Sequence, residues 1–179
     1  MADLIGDLLA YARAANAPLE TATVDVAAAA SEAAGRVGQA VAEREAEIVL
    51  PYESVLVQAD ERQLVQMLQN LIANAIVYCP PDRRPRVVVS ARRDNGTSEI
   101  EVADNGAGID PADRERLLRP FERGDQHTSA STGLGLAIAA RVAERHGGHL
   151  QIDDNPGGGT RMRVRLPAVD GGTPSNSEA

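Results

Sequence analysis

The 179-residue sequence contains no lysine and no tryptophan, and it has only one phenylalanine, three tyrosines and one cysteine. A single cysteine excludes a disulfide within the chain and suits a reducing compartment, so we expect a cytoplasmic location. Because aromatic side chains are scarce, the core must be built from Leu, Ile, Val and Ala. All 18 basic residues are Arg, and the net charge is -8. This acidic balance argues against a nucleic-acid-binding protein that neutralises phosphates with an excess of cations.

Long apolar runs are also missing. No segment approaches the ~18 residues of a transmembrane helix. A longer protein that contains this sequence can still be anchored in a membrane by other segments. At the start, Asp3 and Asp7 stand where a secretory signal would have basic residues and an uninterrupted apolar stretch. Residues 170–179 combine Gly, Ser and Pro without periodicity, which predicts a disordered tail. The length predicts one domain.

Hydrophobic periodicity and turn residues predict helices that alternate with pairs of strands. The predicted helices cover 2–16, 25–45, 61–78, 111–118 and 134–146, and the predicted strands cover 47–50, 54–58, 86–92, 98–103, 149–153 and 160–166. Asn95 and Gly96 indicate a tight turn between two of the strands. This order predicts an α/β (α+β) two-layer sandwich, in which helices cover one face of a mixed, mostly antiparallel sheet.

The first helix carries one apolar stripe at helical spacing, formed by Leu4, Ile5, Leu8, Leu9 and Ala12. A helix with such a stripe either packs on its own domain or belongs to a coiled coil or bundle outside this sequence. The residues alone leave both interpretations open.

The third helix carries Gln66, Asn70 and Asn74 at intervals of four residues, so their side chains share one face. Asn is a poor helix former, and two of them in register call for an explanation. They are either ordinary polar surface or ligands whose amide oxygens bind a hard cation such as Mg²⁺ together with phosphates and water.

Two glycine motifs follow. In the first, Asp104-Asn105-Gly106-Ala107-Gly108-Ile109 ends a strand, where a carboxylate can accept a hydrogen bond from an exocyclic amine and glycines let the backbone approach a flat ring. In the second, Gly133-Leu134-Gly135 opens a helix whose N–H groups can bind an anion. Each is also compatible with a simple turn or junction. A Walker loop is excluded because it needs a Lys, and the order of elements does not suit a Rossmann fold.

The order of these motifs is more specific than any one of them. Asn70 and Asn74 precede the Asp104 motif, then Pro120-Phe121-Glu122-Arg123, the Gly133 motif and a Gly159-Thr160 hairpin. Over about residues 24–167 the chain resembles the catalytic ATP-binding domain of two-component sensor histidine kinases, in the GHKL superfamily. Residues 1–17 resemble the end of the dimerisation and phosphoacceptor hairpin that precedes this domain. The resemblance implies a catalytic domain over 18–169, with the tail at 170–179.

The resemblance also implies a role for each motif residue in binding Mg²⁺ and ATP. Asn74 would coordinate Mg²⁺ between the phosphates, with Asn70 lining the same place. Asp104 would bind the adenine amino group, and Thr160 would support Asp104. Other residues would surround the ring, namely Tyr78 by stacking and Gly106, Gly108 and Ile109 by packing.

The remaining implied roles concern the phosphates. Phe121 would anchor the hinge of a lid over about 122–132, and Arg123 would reach the terminal phosphate. The backbone N–H groups of Gly133, Leu134 and Gly135 would bind phosphate oxygens.

By the same resemblance the domain would transfer the ATP γ-phosphoryl group to a histidine on the phosphoacceptor hairpin of the same kinase, and from there to a response regulator. The full-length kinase would be a homodimer, and this chain alone is compatible with a monomer. No nucleic-acid partner is expected. None of His127, His146 and His149 lies in a sequence like the phosphoacceptor box, and we expect all three on the surface or in the lid.

The sequence departs from the family pattern at three positions. Val77 stands where a Lys is common, Cys79 where a Thr is common, and Ser131 at the first glycine of the usual phosphate motif. We expect Cys79 to be inert packing, with redox sensing as the alternative. Val77 and Ser131 leave open a degenerate, nucleotide-free interaction module, and a GHKL ATPase or protein serine kinase is the other alternative.

Overall fold

The computed structural model describes residues 2–94, 96–122 and 132–167. In these ranges the helices are α1 (Ala2–Asn16), α2 (Val26–Arg36), α3 (Gly38–Arg44), α4 (Glu61–Val77), α5 (Arg114–Leu117) and α6 (Gly135–Arg145). The strands are β1 (Ala22–Asp25), β2 (Glu47–Val49), β3 (Leu56–Ala59), β4 (Arg86–Asp94), β5 (Thr97–Asp104), β6 (His149–Asp154) and β7 (Thr160–Pro167). The predicted tail, 170–179, lies outside the described residues.

The main sheet has five strands in the order β2-β4-β5-β7-β6. Only β2 runs parallel to its neighbour, β4, and the other three pairings are antiparallel. One face is aliphatic and almost completely buried, with Val89, Val102 and Val164 at its centre. The helices pack on this face, so the predicted two-layer sandwich is confirmed. Alternation along β5 also places Asp104 on this face, in register with Val87.

The opposite face of the sheet is a ladder of ion pairs. Glu99 lies between Arg92 and Arg165, at 2.6 and 2.9 Å, and its side chain is only 3% exposed. Burial alone would raise the pKa of Glu99, but the hydrogen bonds from Arg165 and Arg92 outweigh it and hold the pKa below its usual value. Asp153 and Arg163 form a second such pair at 2.5 Å. This ladder uses arginines that would otherwise form a basic surface.

Two predicted helices differ in the structure. The predicted helix over 25–45 is two helices, because Val37 leaves helical geometry between α2 and α3, where Gly35 and Gly38 flank it and lower helix propensity. The predicted helix over 111–118 contracts to α5, with turn residues before it. Asp25 caps α2, since its Oδ1 accepts a hydrogen bond from the N–H of Ala27 at 3.0 Å.

Strand β1 was not predicted. Its four residues pair with β3 in a separate two-stranded antiparallel sheet, with Val24 opposite Val57. The strand is too short to show an alternation of its own, and its partner lies more than thirty residues further along the chain. No local pattern could have revealed it.

Helix α1 is present as predicted, and it packs along α6 with the face opposite to its apolar stripe. Ala14 is buried, and the Arg145 side chain donates hydrogen bonds to the carbonyl oxygens of Ala14 and Ala17 at 3.1 and 2.5 Å. Ile5, Leu8 and Leu9 of the stripe remain 64%, 49% and 52% exposed. The helix therefore has two usable faces, of which the domain covers the less apolar one. None of the described helices is both long and apolar enough to cross a bilayer.

The expectation that His146 lies on the surface or in the lid was wrong. His146 ends α6 and is buried, because its ring fills the contact between the end of α6 and the start of α4. Its Nε2 accepts a hydrogen bond from the N–H of Asp60 at 2.9 Å, which requires Nδ1 to carry the proton and donate to the carbonyl of Val142 at 2.7 Å. Asp60 in turn caps α4 through the N–H of Gln63. His149 is exposed as expected, and His127 lies outside the described residues.

We predict that His146→Ala lowers the free energy of unfolding by about 1–3 kcal/mol, because it leaves the buried N–H of Asp60 without an acceptor. Urea unfolding followed by circular dichroism measures the change. The exposed His149→Ala is the matched control, expected within about 0.5 kcal/mol of wild type. Equal losses in the two variants would contradict a structural role for the His146 ring.

Candidate functional site

A cavity of about 490 Å³ opens between α4, the end of β5 and the start of α6. Its size falls in the range of small-molecule sites, roughly 300–1,000 Å³. Most of the residues predicted for the site share its wall, namely Asn70, Asn74, Tyr78, Asp104, Gly106, Gly108, Ile109, Gly133, Gly135 and Thr160. The structure thus brings together motifs that are distant in the sequence.

Two predicted site residues, Leu134 and Phe121, are not among the described residues that line the cavity. The Leu134 side chain is fully buried in the core, and the role predicted for its backbone N–H stays a prediction. Phe121 is 59% exposed and is not among the residues lining the cavity. Its backbone has a φ of +66°. Its N–H donates a hydrogen bond to the carbonyl oxygen of Gly133 at 3.1 Å, so residues 121 and 133 lie next to each other. Arg123 lies outside the described residues.

Asp104 is a buried carboxyl group in the cavity wall. It is 6% exposed, and its Oδ1 accepts hydrogen bonds from the N–H groups of Gly106 at 2.8 Å and Thr160 at 2.9 Å. In the described part of the chain, no hydrogen bond to Oδ2 is found. Desolvation by burial raises the pKa of Asp104 above its usual value, although the two backbone hydrogen bonds oppose the shift. One carboxylate oxygen is therefore fixed by the protein, and the other is available to a ligand.

Thr160 supports Asp104 as predicted, through its backbone N–H. This contact depends on Gly159, which has a φ of +95°. A Cβ at Gly159 would lie only 2.0 Å from the carbonyl oxygen of Asp104, so no other residue fits there. The side chain of Asn155 adds a hydrogen bond to the same carbonyl at 2.8 Å. The β6–β7 hairpin is thereby locked onto the end of β5.

The polar face of α4 forms another wall of the cavity. Gln66 donates a hydrogen bond to Oδ1 of Asn70 at 3.4 Å, while Nδ2 of Asn70 is buried and has no partner within the described ranges. A buried amide without a partner is costly, and such groups often meet a ligand. Asn74 lies one helical turn further on. The interpretation of this face as ordinary polar surface is therefore not supported.

Helix α6 begins directly against Asn74. A Cβ at Gly135 would lie 3.3 Å from the amide atoms of Asn74, so the glycine lets the two helices meet at the cavity. The first N–H groups of a helix lack partners within it and carry the positive end of its dipole. Where α4 meets the start of α6, the cavity thus has amide side chains and backbone N–H donors side by side.

The charge of the lining is acidic. Asp7, Asp104, Asp110, Asp113 and Glu122 all line the cavity, and none of its described lining residues is an Arg. No group of three or more His, Cys, Asp or Glu side chains in the described ranges could hold a metal ion by itself. The described lining therefore offers an anionic ligand only neutral N–H groups, unless the ligand brings a cation with it.

The sequence did not indicate that α1 reaches the cavity. Asp7 lines it, and Oδ2 of Asp7 accepts a hydrogen bond from the Thr132 hydroxyl at 2.5 Å. These residues are 125 positions apart. Asp7 belongs to no recognisable motif, and Thr132 lies inside the phosphate motif without a predicted role of its own. Cys79 is 3% exposed, as expected for packing, and burial raises the pKa of its thiol.

A comparison with protein-family models decides the classification. Residues 59–170 match the family described as histidine kinase-, DNA gyrase B- and HSP90-like ATPases. The chain belongs to this family. The match contains the asparagine, aspartate and glycine motifs that line the cavity, and the fold confirms the histidine kinase type of this ATP-binding domain.

Two relatives among characterised proteins are bacterial histidine kinases. The chain is 43% identical over 123 residues to histidine protein kinase DivJ of Caulobacter vibrioides, covering 68% of this chain and 20% of DivJ. It is 38% identical over 175 residues to the sensor-like histidine kinase SenX3 of Mycobacterium bovis, covering 94% of this chain and 42% of SenX3. The chain therefore spans less than half the length of these relatives.

Solved structures give the same result for the fold. Full-length ShkA in complex with AMPPNP superposes with a TM-score of 0.76 at 27% identity, covering 93% of this chain and 35% of ShkA. The mycobacterial sensor histidine kinase MprB superposes with a TM-score of 0.69 at 29% identity, covering 83% of this chain and 97% of the MprB chain.

We predict that Asp104→Asn does not destabilise the domain at pH 7. An Asn oxygen still accepts the two backbone hydrogen bonds, and the variant removes a charge that burial disfavours. Because the folded-state pKa of Asp104 is raised, the wild-type domain loses stability relative to the variant as the pH rises from the ordinary Asp pKa through the raised value. Urea unfolding at several pH values measures this difference.

The exposed Asp82→Asn serves as the control, since it removes the same charge without removing a buried one. A difference between wild type and Asp104→Asn that is independent of pH would contradict the prediction.

Proposed function

We propose that the cavity binds ATP with Mg²⁺ and that the domain transfers the γ-phosphoryl group to a histidine on a separate phosphoacceptor hairpin. The observation that carries this proposal is the buried Asp104, held by two backbone donors on one oxygen with the other available in the cavity. Such a group is suited to accept a hydrogen bond from the exocyclic amine of a base. Tyr78, Gly106, Gly108 and Ile109 line the same part of the cavity.

The residues at the other end fit Mg²⁺ only when it is accompanied by phosphates. Mg²⁺ prefers oxygen ligands and keeps several waters, and it is usually bound by one or two protein groups plus the phosphates. Asn74 provides an amide oxygen, and Nδ2 of Asn70, which has no partner among the described residues, is suited to donate to a phosphate oxygen. When bound, Mg²⁺ would neutralise phosphate charge, which the acidic lining does not.

The proposed reaction breaks the bond between the γ-phosphorus and the oxygen that leaves with ADP, and forms a bond from the γ-phosphorus to an imidazole nitrogen. The domain contributes mainly by positioning and by electrostatic stabilisation. The N–H groups at Gly133 and Gly135 and the side chain of Arg123 are proposed to hold the phosphates. Asn70 cannot act as a general base, because an amide does not accept a proton at neutral pH, so hydrolysis of ATP by water is expected to be slow.

The proposed partners are the phosphoacceptor hairpin of the same kinase and a response regulator that receives the phosphoryl group on an Asp. Residues 1–17 are proposed to be the end of that hairpin. The exposed stripe of α1 supports this, since Ile5, Leu8 and Leu9 face away from the domain. A helical bundle would cover the stripe and would make the whole kinase a homodimer.

Transfer of radiolabelled phosphate separates this proposal from a GHKL ATPase or a serine kinase. Label on an isolated phosphoacceptor hairpin, in an acid-labile and alkali-stable form, supports the histidine kinase. Release of phosphate without labelling the hairpin supports the ATPase, and acid-stable label supports the serine kinase.

We predict that the chain binds a non-hydrolysable ATP analogue in the presence of Mg²⁺ and that Asp104→Asn weakens this binding about 10-fold or more, the effect of a lost hydrogen bond to a charged group. Asn74→Ala is expected to weaken binding with Mg²⁺ but not in EDTA. Isothermal titration calorimetry measures each dissociation constant. Absence of binding at millimolar analogue, or equal binding by Asp104→Asn, would falsify the proposal and leave the nucleotide-free module.

We also predict that Asp7→Asn binds the triphosphate about 2- to 5-fold more tightly at low salt, because it removes a negative charge from the cavity wall. The Asn oxygen can still accept the Thr132 hydroxyl. Glu32→Gln, on the exposed surface of α2, is the matched control for net charge and is expected to change nothing. Salt-independent tightening would point to a steric cause instead.

A further inference from the structure

Two side chains tie the turn after β5 to the loop between α4 and β4. Arg83, in that loop, donates from Nη1 to the carbonyl oxygens of Asn105 at 2.5 Å and Gly106 at 3.2 Å. Asn105, in the turn, makes side-chain hydrogen bonds to the backbone on the other side, at Arg84 and Arg86. We name these two residues, Arg83 and Asn105, the base clamp.

Asn105 uses both ends of its amide. Its Nδ2 donates to the carbonyl of Arg84 at 3.0 Å, and its Oδ1 accepts from the N–H of Arg86 at 2.8 Å. The thiol of Cys79 lies 3.8 Å from the same Oδ1 and 3.6 Å from the carbonyl of Arg83. The loop and the turn are therefore joined by donors and acceptors from both sides.

The base clamp lies behind the two residues proposed to recognise the base. Tyr78 is at the end of α4, just before the loop, and Asp104 is just before the turn. The two backbones are close together, since a Cβ at Gly106 would lie 3.3 Å from the carbonyl oxygen of Tyr78 and 2.9 Å from Oδ1 of Asp104. A shift of the loop against the turn would change the spacing between the ring of Tyr78 and the carboxylate of Asp104.

We propose that Arg83 and Asn105 are positioning residues that set the selectivity of the cavity for a purine with an exocyclic amine. This proposal rests on the proposed function, because it assumes that the base lies between Tyr78 and Asp104. Neither clamp residue lines the cavity, so neither is expected to touch the nucleotide. They act by holding the loop and the turn at one spacing.

The exposure of Arg83 distinguishes this role from a contribution to folding. Arg83 is exposed, and it donates to carbonyl groups at the edge of the cavity rather than to the core. Exposed hydrogen bonds of this kind contribute little to stability, because water replaces them readily. A small error in the position of a hydrogen-bond acceptor, by contrast, is enough to reduce selectivity between ligands.

The test compares ADP with inosine diphosphate, which has an oxygen in place of the exocyclic amine. Dissociation constants for both are measured without Mg²⁺ for the wild-type chain and for Arg83→Ala, Arg83→Lys and Asn105→Ala. Arg84→Ala is the matched control, because the Arg84 side chain donates to the carbonyl of Glu45, outside the base clamp. Thermal unfolding of each variant is recorded alongside.

We expect the preference of the wild-type chain for ADP over inosine diphosphate to fall at least about threefold in Arg83→Ala and Asn105→Ala, with inosine diphosphate binding unchanged. Arg83→Lys, which keeps a donor, is expected to be intermediate, and Arg84→Ala to match wild type. An unchanged preference in both alanine variants overturns the proposal. So does an equal loss of affinity for both nucleotides together with a lower melting temperature, which indicates a structural role only.

The same measurement separates this proposal from the proposed function. If the wild-type chain prefers ADP but the clamp variants keep that preference, only the base clamp is wrong. If the wild-type chain binds neither nucleotide, or binds both equally, then the proposed function fails and the base clamp fails with it. If Asn105→Ala does not fold, Arg83→Ala and Arg83→Lys still decide the outcome.

Discussion

The burial of the Asp104 carboxyl is the constraint on which the rest of the site depends. A carboxylate on the helix-facing side of a sheet is unfavourable unless backbone donors satisfy it. Here the donors come from the turn after β5 and from the start of β7. Gly159 is required for that approach, because a Cβ there would overlap the carbonyl oxygen of Asp104. The turn after β5 also packs closely against the end of α4, since Gly106 lies near the carbonyl oxygen of Tyr78. One buried group thereby sets the positions of three segments that are distant in the sequence.

The distribution of charged side chains explains how an acidic protein can have a site suited to a phosphate ligand. Many of its arginines are used on the outer face of the sheet, where Glu99 lies between Arg92 and Arg165 and where Arg161 pairs with Glu101. They are therefore not at the cavity. The absence of Lys removes a positive charge at Val77, which lines the cavity at the position where a Lys is common in the family. Helix N–H groups, amide side chains and a metal ion can hold phosphates without a net positive charge.

Prediction from the sequence succeeded where a local pattern has one physical meaning. Helix α4 was predicted closely because its hydrophobic periodicity is regular, and its Asn70 and Asn74 face the cavity. It failed where a partner elsewhere in the chain decides the outcome. His146 is a polar residue at a helix end, which is normally exposed, but the start of α4 offers it a donor and covers it. Val37 breaks a long Ala-rich helix that looked continuous, and β1 exists only because β3 pairs with it.

The sequence by itself indicated the family, the order of most helices and strands, and the residues that are proposed to bind a nucleotide. These follow from short-range periodicity and from motifs whose order is specific. Only the tertiary structure showed that α1 brings Asp7 to the cavity while its apolar stripe faces outward, and that Arg83 and Asn105 join the loop to the turn. Such contacts join residues tens of positions apart through a single hydrogen bond or packing surface. They leave no periodic trace in the sequence, because their geometry arises only when the sheet and the helices pack.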